Sequence, residues 1–238
     1  MPPLRPEEDA YGQILAAVAA GHDAQEIMER EDGLIYTGDP RDYLAPFRRW
    51  PASERRLMRH VRGPRVLDIG CAAGRVAQHL AGRGLEVVAV DESPLAVEVA
   101  RARGVADART AALADLLHGG PSPLGGPFDT VVVLRNNLGL AGDLDSAPAT
   151  LRALAGLAAG PGARLLTDSV HPARLDPVSR GTGHDRYRVR WRQFASPWFR
   201  YLMLEPAEVE RLVDGSPWRV RALVDDGSPR YGIVLELR

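Results

Sequence analysis

One stretch, Val66-Leu67-Asp68-Ile69-Gly70-Cys71-Ala72-Ala73-Gly74-Arg75, constrains this fold more than any other part of the chain. An apolar run breaks at Gly70, passes through small residues, and reopens after Gly74 into a helical pattern through Leu80. That is a strand turning sharply into a helix, with small residues so that a ligand can lie against bare backbone. A second strand, Leu85 to Val90, ends in Asp91, about 20 residues after the turn, where a carboxylate can grip ribose hydroxyls. Glu92 stands beside it. The pair binds a nucleoside-bearing cofactor, and glycine spacing separates the two candidates. The dinucleotide fingerprint G-x-G-x-x-G puts its third glycine where this chain has Arg75, with the glycine one step earlier. Asp68, just ahead of the first glycine, is also foreign to that fingerprint.

The spacing Asp68-x-Gly70-x-Ala72-x-Gly74 instead resembles the D-x-G-x-G-x-G of class I S-adenosylmethionine-dependent methyltransferases, with Ala72 replacing the middle glycine. The match spans roughly residues 34–237, and its specific part is confined to 66–104. The resemblance implies S-adenosyl-L-methionine as cofactor and S-adenosyl-L-homocysteine as product. It implies that the backbone around Gly70, Ala72 and Gly74 receives the methionine end, and that Asp68 orders the ammonium group. Asp91 and Glu92 then serve the ribose. For adenine two arrangements stay open, the backbone at Ala112 and Leu113 or Asp115 reaching back. Tyr36 and Tyr43 are the aromatic candidates to lie over the cofactor from the N-terminal segment, and Arg135 joins the cofactor set. The family members most resembled methylate small molecules in bacterial, often secondary, metabolism.

Strands and helices alternate from residue 65 onward: strand 65–69, helix 74–82, strand 85–90, helix 94–103, a short strand near 107–111, strand 128–134, helix 146–158 and strand 163–168. Alternation of this kind gives an α/β, doubly wound, mostly parallel sheet. The resemblance implies seven strands with the last antiparallel, and the terminal strands 218–224 and 231–237 around Asp226-Gly227-Ser228-Pro229 suit that end. The first 62 residues read as a helical cap, with helices near 7–20, 22–30, 40–49 and 52–62. At 238 residues the chain suits one domain, with a strand-rich insertion at about 185–204.

A net charge of −1, from 30 basic and 31 acidic residues, gives no overall pull toward nucleic acid or membrane, so a small-molecule partner is expected. All the basic residues are arginine, which reads as coding bias rather than function. The lone Cys71 excludes an internal disulfide and a cysteine zinc site. No apolar run is long enough to cross a bilayer, and the short stretch Ile14 to Ala20 follows acidic residues; a cytoplasmic protein is expected.

After the fourth strand of the sheet comes Leu134-Arg135-Asn136-Asn137-Leu138-Gly139, at the edge where such sheets place their ligands. The N-P-P-Y of relatives that methylate amino groups of bases or glutamine is absent there, and the acids that hold magnesium in catechol methylators are replaced by Arg135 and Asp168-Ser169. No metal is expected. Asn136 and Asn137 are candidate substrate contacts or simple turn formers. On Arg186 to Arg192 the arginines share one strand face; they form a solvated edge, or Arg188 and Arg190 grip a substrate carboxylate. Methyl transfer from a sulfonium is an in-line displacement in which orientation alone supplies roughly 7–11 kcal/mol. A general base is needed only for a nucleophile that must lose a proton, and His171 is the candidate, with His184 second.

Overall fold

The computed structural model describes residues 4–116, 124–182 and 185–238. In chain order the elements are α1 (Ala10–Ala19), β1 (Glu26–Arg30), β2 (Ile35–Gly38), α2 (Ala52–Leu57), β3 (Arg65–Ile69), α3 (Arg75–Ala81), β4 (Glu86–Asp91), α4 (Pro94–Ala102), β5 (Ala108–Thr110), α5 (Leu113–Leu116), β6 (Thr130–Val133), α6 (Ala147–Ala155), β7 (Arg164–Val170), α7 (Pro177–Arg180), β8 (Arg186–Trp191), β9 (Phe194–Ala195), β10 (Phe199–Arg200), α8 (Val209–Val213), β11 (Trp218–Val224) and β12 (Arg230–Leu237). A seven-stranded sheet runs in the order β11-β12-β7-β6-β3-β4-β5. β4 is parallel to β5 and β6 to β7, while β12 is antiparallel to both β7 and β11. The expected doubly wound sheet with its antiparallel end is present. Among the described residues, no helix is long and apolar enough to cross a membrane.

The chain forms two compact units, one from residues 1–50, 68–115 and 186–199, the other from 51–67, 116–185 and 200–238. In the first, α4 starts cleanly because the Ser93 hydroxyl accepts from the Ala96 N–H at 3.0 Å and Pro94 occupies the first helical position. α1 buries two faces. Ala10, Ile14 and Ala17 pack with Val189, Met28 and Phe199, while Leu15 packs with Ala72, Ala73, Ala96 and Val99. Full burial of a side chain such as Ile14 or Leu15 contributes about 1.5–3 kcal/mol.

The expected all-helical N-terminal segment is corrected here. Residues 22–30 do not form a helix: β1 pairs antiparallel with β2 and with β8, placing Met28 opposite Val189 and Glu29 opposite Arg188. Glu-Ile-Met-Glu-Arg has good helix formers, but non-local pairing on a sheet outweighs propensities of a few tenths of a kcal/mol. The turn Asp32-Gly33, with Gly33 at φ 91°, closes the β1–β2 hairpin. Residues 40–49 also shorten, to two 3-10 turns, 40–44 and 47–49.

In the second unit the core is aromatic and aliphatic. Trp218 is fully buried and donates its indole N–H to the Leu151 carbonyl at 2.7 Å. The α2 helix lies so close to β12 that a Cβ on Gly232 would stand 3.1 Å from the Leu57 side chain.

Candidate functional site

The first unit holds the glycine turn. Gly70 and Cys71 donate their N–H groups to the Val90 carbonyl, and Gly70, Ala72 and Gly74 all take left-handed φ angles, 72°, 51° and 76°. Ala72 thus adopts a conformation that costs a non-glycine residue about 1–2 kcal/mol. Gly74 has a different reason for lacking a side chain: a Cβ there would stand 2.5 Å from Val105 Cγ2 and 3.1 Å from Ala100 Cβ. Close packing of the start of α3 against α4 and Val105 requires that glycine.

Asp68, one residue before the end of β3, is almost fully buried, at 2% exposure, and its Oδ2 has no hydrogen-bond partner. Burial pushes its carboxyl up to about 7, with the Arg75 charge opposing the rise. A buried acceptor left open in this way suits a cationic hydrogen-bond donor. Asp91, at the end of β4, accepts from the Ala72 N–H at 2.9 Å through Oδ2 and from the Ser93 N–H at 3.0 Å through Oδ1. Burial raises it to about 6, against those two hydrogen bonds. Glu92 keeps an open surface but is surrounded by enough protein, and by Asp91, Asp9 and Asp115, to rise to about 6. Ala112 and Leu113 are half-buried, and Asp115 Oδ2 accepts from the Ala112 N–H at 3.3 Å.

Of the aromatic candidates, Tyr43 donates its hydroxyl to Glu26 at 3.2 Å and sets its ring edge-on to Tyr11 at 5.2 Å, whereas Tyr36 stands exposed on β2. The arginine row is committed within the protein. Arg188 grips Glu29 through two nitrogens at 2.8 and 3.0 Å, Arg190 adds a third contact at 2.9 Å, and the Arg188 guanidinium lies 4.5 Å from the Trp198 ring. Both charges that were candidates for a substrate carboxylate thus answer a carboxylate of β1, which they hold down to about 2.

The second unit holds the turn after β6. Arg135 and Asn136 are both left-handed, at φ 61° and 59°, a strained pair for residues other than glycine. The surroundings over-determine it. Asp168 accepts from the Asn136 N–H at 2.7 Å, the Leu202 carbonyl accepts from Asn136 Nδ2 at 2.9 Å, and the Arg135 carbonyl accepts from the Tyr201 hydroxyl at 2.6 Å. Asn136 is buried and donates from Nδ2 to the Leu202 carbonyl, so it braces the turn. Asn137 is half-buried and opens a 3-10 turn over 137–141. Arg135 faces the buried carboxylate of Glu54, 3.7 Å from Nε. The other oxygen of Asp168 accepts from Arg230 at 2.9 Å. His171 follows β7, its N–H on the Pro229 carbonyl at 2.7 Å and its ring 6.5 Å from Tyr231. Its Nδ1 is buried with no hydrogen-bond partner. His184 lies outside the described residues.

Two groups not singled out from the sequence belong to the first unit's site. Asp9, the N-cap of α1, accepts from the Gly12 N–H and from the Ser93 hydroxyl at 2.9 and 2.8 Å, and burial raises its carboxyl. Arg75 opens α3, buried beside Trp50. The Ser93-Pro94 cap was a readable signal, but its partner Asp9 is 84 residues away.

Comparison with known proteins bears on the same residues. Residues 66–160 match the family model described as a methyltransferase domain. The chain is 29% identical over 184 residues to the ubiquinone biosynthesis O-methyltransferase of Xylella fastidiosa strain 9a5c, covering 69% of this chain and 70% of that protein. The enzyme of the same description from Xanthomonas euvesicatoria pv. vesicatoria strain 85-10 is 29% identical over 180 residues, covering 67% and 70%. Among solved structures, a SAM-dependent methyltransferase from Bacteroides fragilis in complex with S-adenosyl-L-homocysteine superposes with a TM-score of 0.84 at 23% identity, over 98% of this chain and 97% of that one.

Proposed function

We propose that the chain is a class I S-adenosylmethionine-dependent methyltransferase, as its methyltransferase-domain match and its fold support, and that it methylates an oxygen of a small-molecule acceptor without a metal ion. The observation that carries the cofactor assignment is the open, buried Oδ2 of Asp68 beside the left-handed turn at Gly70, Ala72 and Gly74. The cofactor's ammonium group fits that atom. Asp91 and Glu92 offer carboxylates for the ribose, and the Ala112–Leu113 backbone with Asp115 serves the adenine. The choice of oxygen rests on the O-methyltransferases that the chain resembles over two thirds of its length. Metal independence is supported by Asp168, whose two oxygens are already taken by the Asn136 N–H and by Arg230.

When bound, S-adenosylmethionine supplies a methyl group activated by its sulfonium. The protein's work is to orient and dehydrate the reactants and to remove the acceptor's proton. His171 is the residue we assign to that last task, because its Nδ1 is buried and open. His171 would take up the acceptor hydroxyl's proton at Nδ1.

Calorimetry should show micromolar binding of S-adenosylhomocysteine and no binding of NAD; the reverse preference would end the reading. His171→Ala should lose roughly 10²-fold in turnover with cofactor affinity intact. A variant that keeps normal turnover would leave positioning alone as the source of rate and point away from a hydroxyl acceptor.

A further inference from the structure

The cofactor acid does not stand alone in the first unit. Arg75, at the start of α3, is 6% exposed and its charge acts on the Asp68 carboxyl. Its guanidinium lies 4.4 Å from the centre of the Trp50 ring. Trp50 is itself buried at 2% exposure and donates its indole N–H to the Ala45 carbonyl at 2.8 Å. Phe47 stacks flat on His79 of α3, with ring centres 3.8 Å apart and planes 4° from parallel, and Trp50 meets both rings edge-on at 5.1 and 5.5 Å. Residues 45–50 thus grip the first turns of α3 through aromatic faces and seat one buried cation there.

A buried guanidinium on an indole face is held by cation–π attraction and loses the freedom to swing. A cation fixed near a buried carboxylate favours its ionised form. Meanwhile Asp68 Oδ2 stays open to a second donor. We propose that Arg75, seated on Trp50, is a positioning residue for the cofactor. It favours the charged form of Asp68, which the ammonium group needs, so residues 45–50 set cofactor affinity through it. The inference rests on the assignment of Asp68 to the cofactor's ammonium.

The test compares two probes across pH 5.5–8.5 by calorimetry: S-adenosylhomocysteine, which carries the ammonium, and 5′-methylthioadenosine, which lacks the amino-acid arm. Wild-type affinity for S-adenosylhomocysteine should fall as Asp68 takes up a proton, by up to about tenfold per pH unit below the midpoint. Arg75→Met should raise that midpoint by about one pH unit and weaken binding about fivefold at pH 7, with methylthioadenosine affinity unchanged. Arg75→Lys keeps the charge and should retain the midpoint. Trp50→Leu, which removes the seat, should follow Arg75→Met in part. An equal loss for both probes would overturn the proposal in favour of a purely structural role for Arg75, as would an unmoved midpoint in Arg75→Met. If Arg75→Met does not fold, Trp50→Leu decides by the same two readouts. Failure of the wild type to bind either probe would instead defeat the cofactor assignment itself.

Discussion

At the scale of single residues, the site is built from carboxylates whose burial works against their charge. Asp68 and Asp91 have folded-state pKa values near 7 and 6, above the usual carboxylate range, because desolvation disfavours the anion. The sign of the linkage is therefore the reverse of an ion-paired acid. The folded state holds protons that the unfolded chain has released, so stability is lost as pH rises through the folded values. Asp68→Asn should lessen that loss: urea unfolding between about pH 4 and 7.5 should show the cofactor-free wild type losing more stability than the variant, which keeps only the contribution of the other buried acids. The same variant should bind S-adenosylhomocysteine at least about tenfold more weakly, the cost in function that accompanies relief of a strained site. Asp91→Ala should lose on both counts, since it strips partners from two buried N–H groups, at about 1–3 kcal/mol each, as well as removing the proposed grip on ribose. An Asp91→Ala protein with native stability would show that neither hydrogen bond persists in solution.

At the scale of elements, the turn after β6 depends on a close approach. A Cβ on Gly139 would stand 2.5 Å from the Leu202 carbonyl oxygen and 2.6 Å from Asn136 Nδ2. Gly139→Ala must therefore break the Asn136–Leu202 hydrogen bond or push the turn outward, and should destabilise by roughly 2 kcal/mol or more in urea titration, with turnover falling further than cofactor affinity. Elements specified by neighbours in sequence were legible beforehand. β3, β4 and α4 carry buried apolar runs and a Ser-Pro cap, and β12 follows its Gly-containing turn. Elements specified at a distance were not. β1 looks helical by composition, and only its pairing with β8 makes it a strand, although Asp32-Gly33 was an available hairpin signal. The same distance hid the chemistry of the arginine row, because Glu29, which engages Arg188 and Arg190, stands on β1. Asn136 was legible as a turn former, but its buried ties to Asp168 and Leu202 depend on the fold.

At the scale of the whole molecule, the alternation that the chain displays openly indicates the parallel part of the sheet, while the seven strands and the antiparallel end are what the family resemblance implies. With Asp168 committed to Asn136 and Arg230, methyl transfer should keep full rate in excess EDTA; a loss restored by magnesium would overturn metal independence. The small sheet of β10, β8, β1 and β2 has a consequence for how the protein is made. Glu29 and Arg188 are 159 residues apart. At a synthesis rate of about 5–20 residues per second, β8 leaves the ribosome roughly 8–32 s after β1. During that interval the hairpin of β1 and β2 waits with the hydrogen-bonding edge of β1 unpaired. A nascent chain stalled before residue 186 should accordingly be cut by protease within 26–38, and become resistant there once β8 has emerged and docked.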